Sequence, residues 1–160
     1  MFKALLLLVT LAQTPNAKPV ELGIIAGTIS PSHESKVILL TPQYAALWTS
    51  DVQKRLDMYW ERYKPAFAAK KEFFFEVSKM AQRDSLDFVL SRMQHDPRLQ
   101  SSSFIKNTGS DGKFEFKDVP VGEYKVIALT KSGADEDLLQ ESVEVTGSVP
   151  QFVRLKKDTP

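Results

Sequence analysis

The chain of 160 residues contains no cysteine. That excludes a disulfide framework, a thiolate nucleophile and any Cys-ligated zinc, so stability must come from packing. Histidine is nearly as scarce. His33 and His95 stand alone, too few for a three-ligand catalytic zinc, and neither has a second ligand at helical spacing. A surplus of one charge is also missing: 21 Lys and Arg against 20 Asp and Glu leave a net charge of +1, with no basic composition to suggest nucleic acid as a partner. No Gly-x-Ser-x-Gly, Walker sequence or dinucleotide fingerprint occurs, so nucleophilic, phosphoryl and hydride chemistry have no visible residues and no cofactor is implied.

Long apolar runs are confined to the beginning. Lys3 followed by a Leu-rich stretch to Ala12 has the charged start and short apolar core of a secretory signal peptide, too short to span a bilayer. Ala17 and Ala12 are the two small residues after which cleavage is expected, giving a signal segment 1–17 and a mature domain 18–160 if the former is used. No cysteine follows the apolar stretch to carry a lipid anchor. The expected location is outside the cytoplasm, periplasmic or extracellular, with no transmembrane span after signal removal.

The most informative stretch is 108–129, Thr-Gly-Ser-Asp-Gly-Lys-Phe-Glu-Phe-Lys-Asp-Val-Pro-Val-Gly-Glu-Tyr-Lys-Val-Ile-Ala-Leu. Phe114 and Phe116 alternate with Lys113, Glu115 and Lys117, the period-2 pattern of a half-buried strand. Tyr124, Val126 and Ala128 repeat it after a turn containing Pro120 and Gly122, so the stretch reads as a β-hairpin. Asp111-Gly112 makes a turn before it. This pattern of Asp111, Gly112, Phe114, Phe116, Pro120, Gly122 and Tyr124 resembles the signature of carboxypeptidase regulatory-like domains, and Ile25-x-Gly27-x-Ile29 with Val37-x-Leu39 resembles that family's first two strands. The resemblance implies a seven-stranded antiparallel prealbumin-like β-sandwich and a non-catalytic accessory module. Fold alone does not carry function.

Further strands are expected over 22–30, 36–41, 103–107, 141–146 and 151–157, with an acidic loop at 131–137. Gly23 and Gly27 suggest a bulge or close backbone approach in the first. Ile38 and Leu40 in the second strand, and Ile127 and Leu129 later, make these strands apolar on both faces, so both faces need cover. The cover is expected from a helical insertion over 43–98. Val52, Leu56, Tyr59, Trp60 and Tyr63 form one helical stripe, with Thr49 or Ser50 as its cap; Phe67, Phe74, Val77 and Ala81 form a second, and Leu86, Val89, Leu90 and Met93 a third. One straight helix over 50–94 would run roughly 65 Å, so the insertion is expected to turn back at Pro65, Asp84 or both, as a helical hairpin or three helices, with one kinked long helix returned by the loop 95–103 as the alternative.

Aromatic residues are the over-supplied resource of that insertion. Trp48, Trp60, Tyr63, Phe73 and Phe75 are the candidate contacts for a partner protein, for self-association or for a polysaccharide, because Phe73, Phe74 and Phe75 cannot all face one core. Asp111 and the acidic run 135–137 lack the alternating spacing of a calcium loop. The reading is a secreted, non-enzymatic module for protein interaction or self-association in the cell envelope. Carbohydrate binding is the alternative. A hydrolase comes third and would need paired carboxylates facing one another across a cleft.

Overall fold

A computed structural model describes residues 20–32, 34–67, 70, 72–99, 104–132 and 135–157. The expected signal segment 1–17 lies outside the described residues. Among the described residues, seven strands and two helices follow one another as β1 (Leu22–Ser30), β2 (Ser35–Leu40), α1 (Pro42–Phe67), α2 (Glu72–Gln94), β3 (Ile105–Asn107), β4 (Lys113–Pro120), β5 (Gly122–Ser132), β6 (Asp135–Val145) and β7 (Gln151–Lys156). The strands form a three-stranded sheet, β4-β1-β7, and a four-stranded sheet, β3-β2-β5-β6.

Alternation along the strands builds the first core. Ile25 and Ile29 from β1, Phe114 and Phe116 from β4 and Val153 and Leu155 from β7 meet Val37, Leu39, Tyr124 and Val126 from the other sheet. Gly27 lets the β1 backbone pass close to its neighbours: a Cβ there would lie 2.4 Å from Phe114 Cζ and from the Val153 carbonyl oxygen. The register of β1 against β4 shifts between Gly23 and Ile25, the bulge expected in this strand.

A second core lies on the opposite face of the four-stranded sheet. Ile38, Leu40 and Ile127 are fully buried there beneath Tyr44 and Trp48 of α1 and Leu86, Val89 and Met93 of α2. The two-faced apolar pattern of β2 and β5 is therefore covered by the helices, which sit between β2 and β3 in chain order. At about 1.5 to 3 kcal/mol for each fully buried side chain, this face holds the helices down firmly.

Several expectations are corrected. The sheets are not wholly antiparallel, since β7 runs parallel to β1, with Gly27 beside Val153. Alternation reports which face a residue occupies and is blind to strand direction, which the 146–150 crossing between sheets decides. The 108–129 stretch is not a hairpin either. β4 pairs with β1, whereas β5 pairs with β2 and β6, so the link between β4 and β5 is a corner joining the two sheets. Asp118 at φ 55° and Gly122 at φ 149° turn the chain across the sandwich, a backbone path that favours glycine at the second position. The Tyr124 hydroxyl donates to the Pro120 carbonyl at 2.9 Å and ties the corner together.

The helices also differ in their ends. α1 starts at Pro42, where a missing N–H costs nothing, and the Thr41 carbonyl accepts from Ala45 N–H at 2.8 Å. Thr49 is thus inside the helix and not its cap, its hydroxyl donating back to the Ala45 carbonyl at 3.0 Å. Pro65 falls in the last turn of α1, and α2 runs unbroken through Asp84, so the insertion is a two-helix hairpin. The acidic loop expected at 131–137 is mostly strand, with Lys131 opposite Glu136 and Thr130 opposite Asp137 in the β5–β6 ladder. Polar edge strands and loops look alike in composition.

Candidate functional site

The two helices touch the sheet at one end and each other at the other. Tyr44 and Trp48 in the first turns of α1, and Leu86, Val89 and Met93 in the last turns of α2, belong to the sheet-facing core. Val77 and Ala81 are buried between the helices, while Val52, Leu56, Tyr59 and Tyr63 are half-buried along α1. Beyond them the turn between α1 and α2 carries a cluster of rings. Tyr63 meets Phe73 with centroids 6.0 Å apart, Trp60 meets Phe74 at 6.5 Å and Phe74 meets Phe75 at 6.2 Å, all edge to face. Such pairs add roughly 0.5 to 1.5 kcal/mol each beyond area burial.

This cluster is only partly shielded. Phe75 is 66% exposed, Phe74 47% and Trp60 42%, and none of the three belongs to either core. Met58 is exposed as well. Exposed Arg62, Lys64 and Lys70 alternate with exposed Glu61 and Glu72 around the rings, and the Arg62 guanidinium stands 5.8 Å from the Tyr63 centroid.

Four of the five candidate contact residues are brought together here: Trp60, Tyr63, Phe73 and Phe75. Trp48 is not among them. It is buried against the sheet, its indole N–H donating to the Gln82 carbonyl at 3.1 Å and the Lys125 Nζ lying 5.3 Å from its ring, so it is a core residue and offers no exposed platform. Sequence reasoning passed over Phe74 as a contact because its helical position matched Val77 and Ala81. The hairpin ends before that stripe meets the sheet, which leaves Phe74 half in solvent.

Polar clasps hold the helices in place. The Tyr44 hydroxyl donates to Asp96 Oδ2 at 2.8 Å, and Arg98 donates to both oxygens of the same carboxylate, at 2.9 and 2.8 Å. The side-chain and backbone hydrogen bonds from Arg98, with that from Tyr44, hold the Asp96 carboxyl far below the usual carboxylate range. Burial, and then the bond to Asp96, push the Tyr44 hydroxyl up. Tyr59 donates to Asp84 Oδ2 at 2.6 Å and so links α1 to α2. Across the molecule, Asp111 Oδ1 accepts from the Lys113 N–H at 3.1 Å, which lowers the Asp111 carboxyl and closes the turn before β4.

A cleft of about 740 Å³ lies between α2, β6 and β7 and contains Glu76, Glu136, Asp137 and Glu141. Glu136 is paired with Arg83 and Asp137 with Lys157 at 2.7 Å. Both carboxylates are thus engaged in ion pairs. Among the described residues no group of three or more His, Cys, Asp or Glu side chains is arranged to hold a metal ion. No helix among them is long and apolar enough to cross a membrane.

No family model and no curated protein matches the sequence. Among solved structures, the chain is similar at 18% identity and a TM-score of 0.40 to a Pseudomonas aeruginosa protein provisionally described as carbohydrate binding, covering 92% of this chain and 100% of that one. It is similar to the pilus backbone of Streptococcus pneumoniae at 12% identity and a TM-score of 0.30, covering 86% of this chain and 41% of the pilin. The full-length major pilin of the same organism matches at 8% identity and a TM-score of 0.26, over 88% of this chain and 31% of that one. Similarity at this level says nothing about activity, and the functional reading rests on the residues themselves.

Proposed function

We propose that this chain is an exported, non-enzymatic module of the carboxypeptidase regulatory-like kind, in which a helical hairpin between the second and third strands presents a protein-binding surface in the cell envelope. One observation carries the reading: the exposed ring cluster Trp60, Phe74 and Phe75 at the far end of the hairpin, outside both cores. Large apolar side chains grouped on a surface and rimmed by charge are the composition of an interaction site. The balanced signs around the rings suit another protein surface, including that of a second copy, better than a polyanion. The family assignment is supported by Gly122 at positive φ, by the buried Phe114, Phe116 and Tyr124, and by the seven-strand count.

The test is site-specific photocrosslinking from position 75 in the producing cell, followed by identification of the adduct. A discrete protein adduct, with this chain or another, that disappears in Trp60→Ala/Phe74→Ser supports the reading. Unchanged labelling in that variant overturns it. Carbohydrate binding is favoured by one specific feature, the exposed Trp60 and Phe75 rings, which are of the kind that stack on sugars. Retention on a polysaccharide column, lost in Trp60→Ala, would establish it instead. Export is tested separately by mass spectrometry. A mature chain starting at Gln13 or Lys18 is expected, and an intact Met1 on exported protein would refute it.

A further inference from the structure

The four-stranded sheet ends on β6, which pairs with β5 on one side and, among the described residues, has no hydrogen-bonded strand on its other side, where β7 of the second sheet runs nearby. It is the longest edge strand among the described residues. β3 on the far edge has three residues and β7 has six, whereas β6 has eleven. β4, the remaining edge strand, ends in a positive-φ Asp118 and in Pro120, both of which discourage further pairing. β6 contains neither proline nor glycine, and its ladder with β5 runs from Gly122↔Val145 to Ser132↔Asp135 without a register shift. Its outer edge is therefore unbroken by a bulge or a proline.

The 740 Å³ cleft lies along this edge. Its wall includes every residue from Glu136 to Glu141 in succession. Neighbouring strand residues point to opposite faces, so an unbroken succession in one wall means that the cleft follows the backbone edge and not one face of the sheet. Six strand residues span about 20 Å, enough for an extended segment of similar length. Met80 and Arg83 of α2 form one side of the cleft, and Arg154 and Lys156 of β7 form the other. Arg83 is committed to Glu136, and Lys157 to Asp137. Arg154 and Lys156 remain exposed on β7, facing the cleft with Glu141 as the one acidic residue there outside the ion pairs.

We propose that the β6 edge is a strand-addition site for an extended, acidic polypeptide segment of a partner protein. The segment's backbone N–H and C=O groups complete the open ladder, and its carboxylates face Arg154 and Lys156. Main-chain hydrogen bonds supply affinity in such a mode and the flanking side chains supply preference. This surface is separate from the ring cluster, so either can fail without the other.

The experiment uses the ¹⁵N-labelled mature chain and two terminally blocked octapeptides, one alternating valine with aspartate and one alternating valine with lysine. The aspartate peptide is expected to shift and protect the amides of 136–141, and to bind at least about tenfold more tightly than the lysine peptide at low salt. Arg154→Glu/Lys156→Glu, which changes only exposed side chains, should reverse the preference with the melting temperature unchanged. No response to either peptide at millimolar concentration, equal response to both, or shifts confined to the helical hairpin would overturn the proposal. Concentration-dependent shifts at 136–141 without peptide, with a dimer in sedimentation, would assign the edge to a second copy and also overturn it.

Discussion

Trp48→Ala is the sharpest test of whether the helices are part of the fold or an appendage to it. Trp48 is 3% exposed and packs with Ile38, Leu40 and Ile127 of the sheet and with Leu86 and Val89 of α2. Truncating a buried aromatic of this size costs roughly 3 to 5 kcal/mol. The lost indole bond to the Gln82 carbonyl adds about 1 kcal/mol. For a chain of this length a loss of about 4 to 6 kcal/mol lowers the melting temperature by roughly 8 to 24 °C. Trp48→Phe keeps most of the packing and loses the bond, so it should cost about 1 to 2 kcal/mol. Thermal unfolding by circular dichroism gives both numbers. Fluorescence adds an independent check, because Trp48→Phe leaves the half-exposed Trp60 as the sole tryptophan and should shift tryptophan emission to the red. A melting temperature for Trp48→Ala within about 2 °C of the parent would refute the docking argument.

Other expectations follow from the same contacts. Tyr124→Ala should destabilise by roughly 3 to 5 kcal/mol and Tyr124→Phe by only about 1, the value of the bond to Pro120; equal losses in chemical denaturation would place the stabilisation elsewhere. Gly27→Ala should cost at least about 1 to 3 kcal/mol, because its Cβ would meet both a ring carbon and a strand carbonyl, and a neutral substitution would show that β1 can shift. The Asp96 carboxyl is depressed in the folded chain, so its clasp contributes fully above the ordinary value of 3.8 and is lost as pH falls below it; Asp96→Ala should therefore flatten the acid limb of the melting curve, and parallel acid limbs would count against the clasp. Replacing residues 43–98 by a Gly/Ser linker should give an aggregating sandwich, with solubility restored by adding Ile38→Thr and Ile127→Thr; a soluble, equally stable deletion would mean that the exposed sheet face is harmless.

Short-range pattern alone determined a good part of this molecule. Alternation placed Phe114, Phe116, Tyr124 and Val126 in one core, and the doubled apolar faces of β2 and β5 required a cover before any helix was seen on them. Periodicity likewise marked Val77 and Ala81 on one stripe and Leu86, Val89 and Met93 on another, which the structure joins as the buried side of α2, while Phe74 of the first stripe is exposed. These readings succeed because a residue's face depends on neighbours within a turn or two of backbone. What tertiary structure decided is of longer range. Whether β4 pairs with β5 or passes to the other sheet, and whether β7 runs parallel to β1, depend on how distant segments close over one core, and alternation is the same either way. The separation of Trp48 from Trp60 has the same origin. Both sit on one helix, twelve positions apart, which sets them about 120° apart around its axis, and the place of the sheet along that helix adds to the difference. Trp48 is buried because the sheet lies beneath the first half of α1, and Trp60 is exposed because the hairpin extends beyond it.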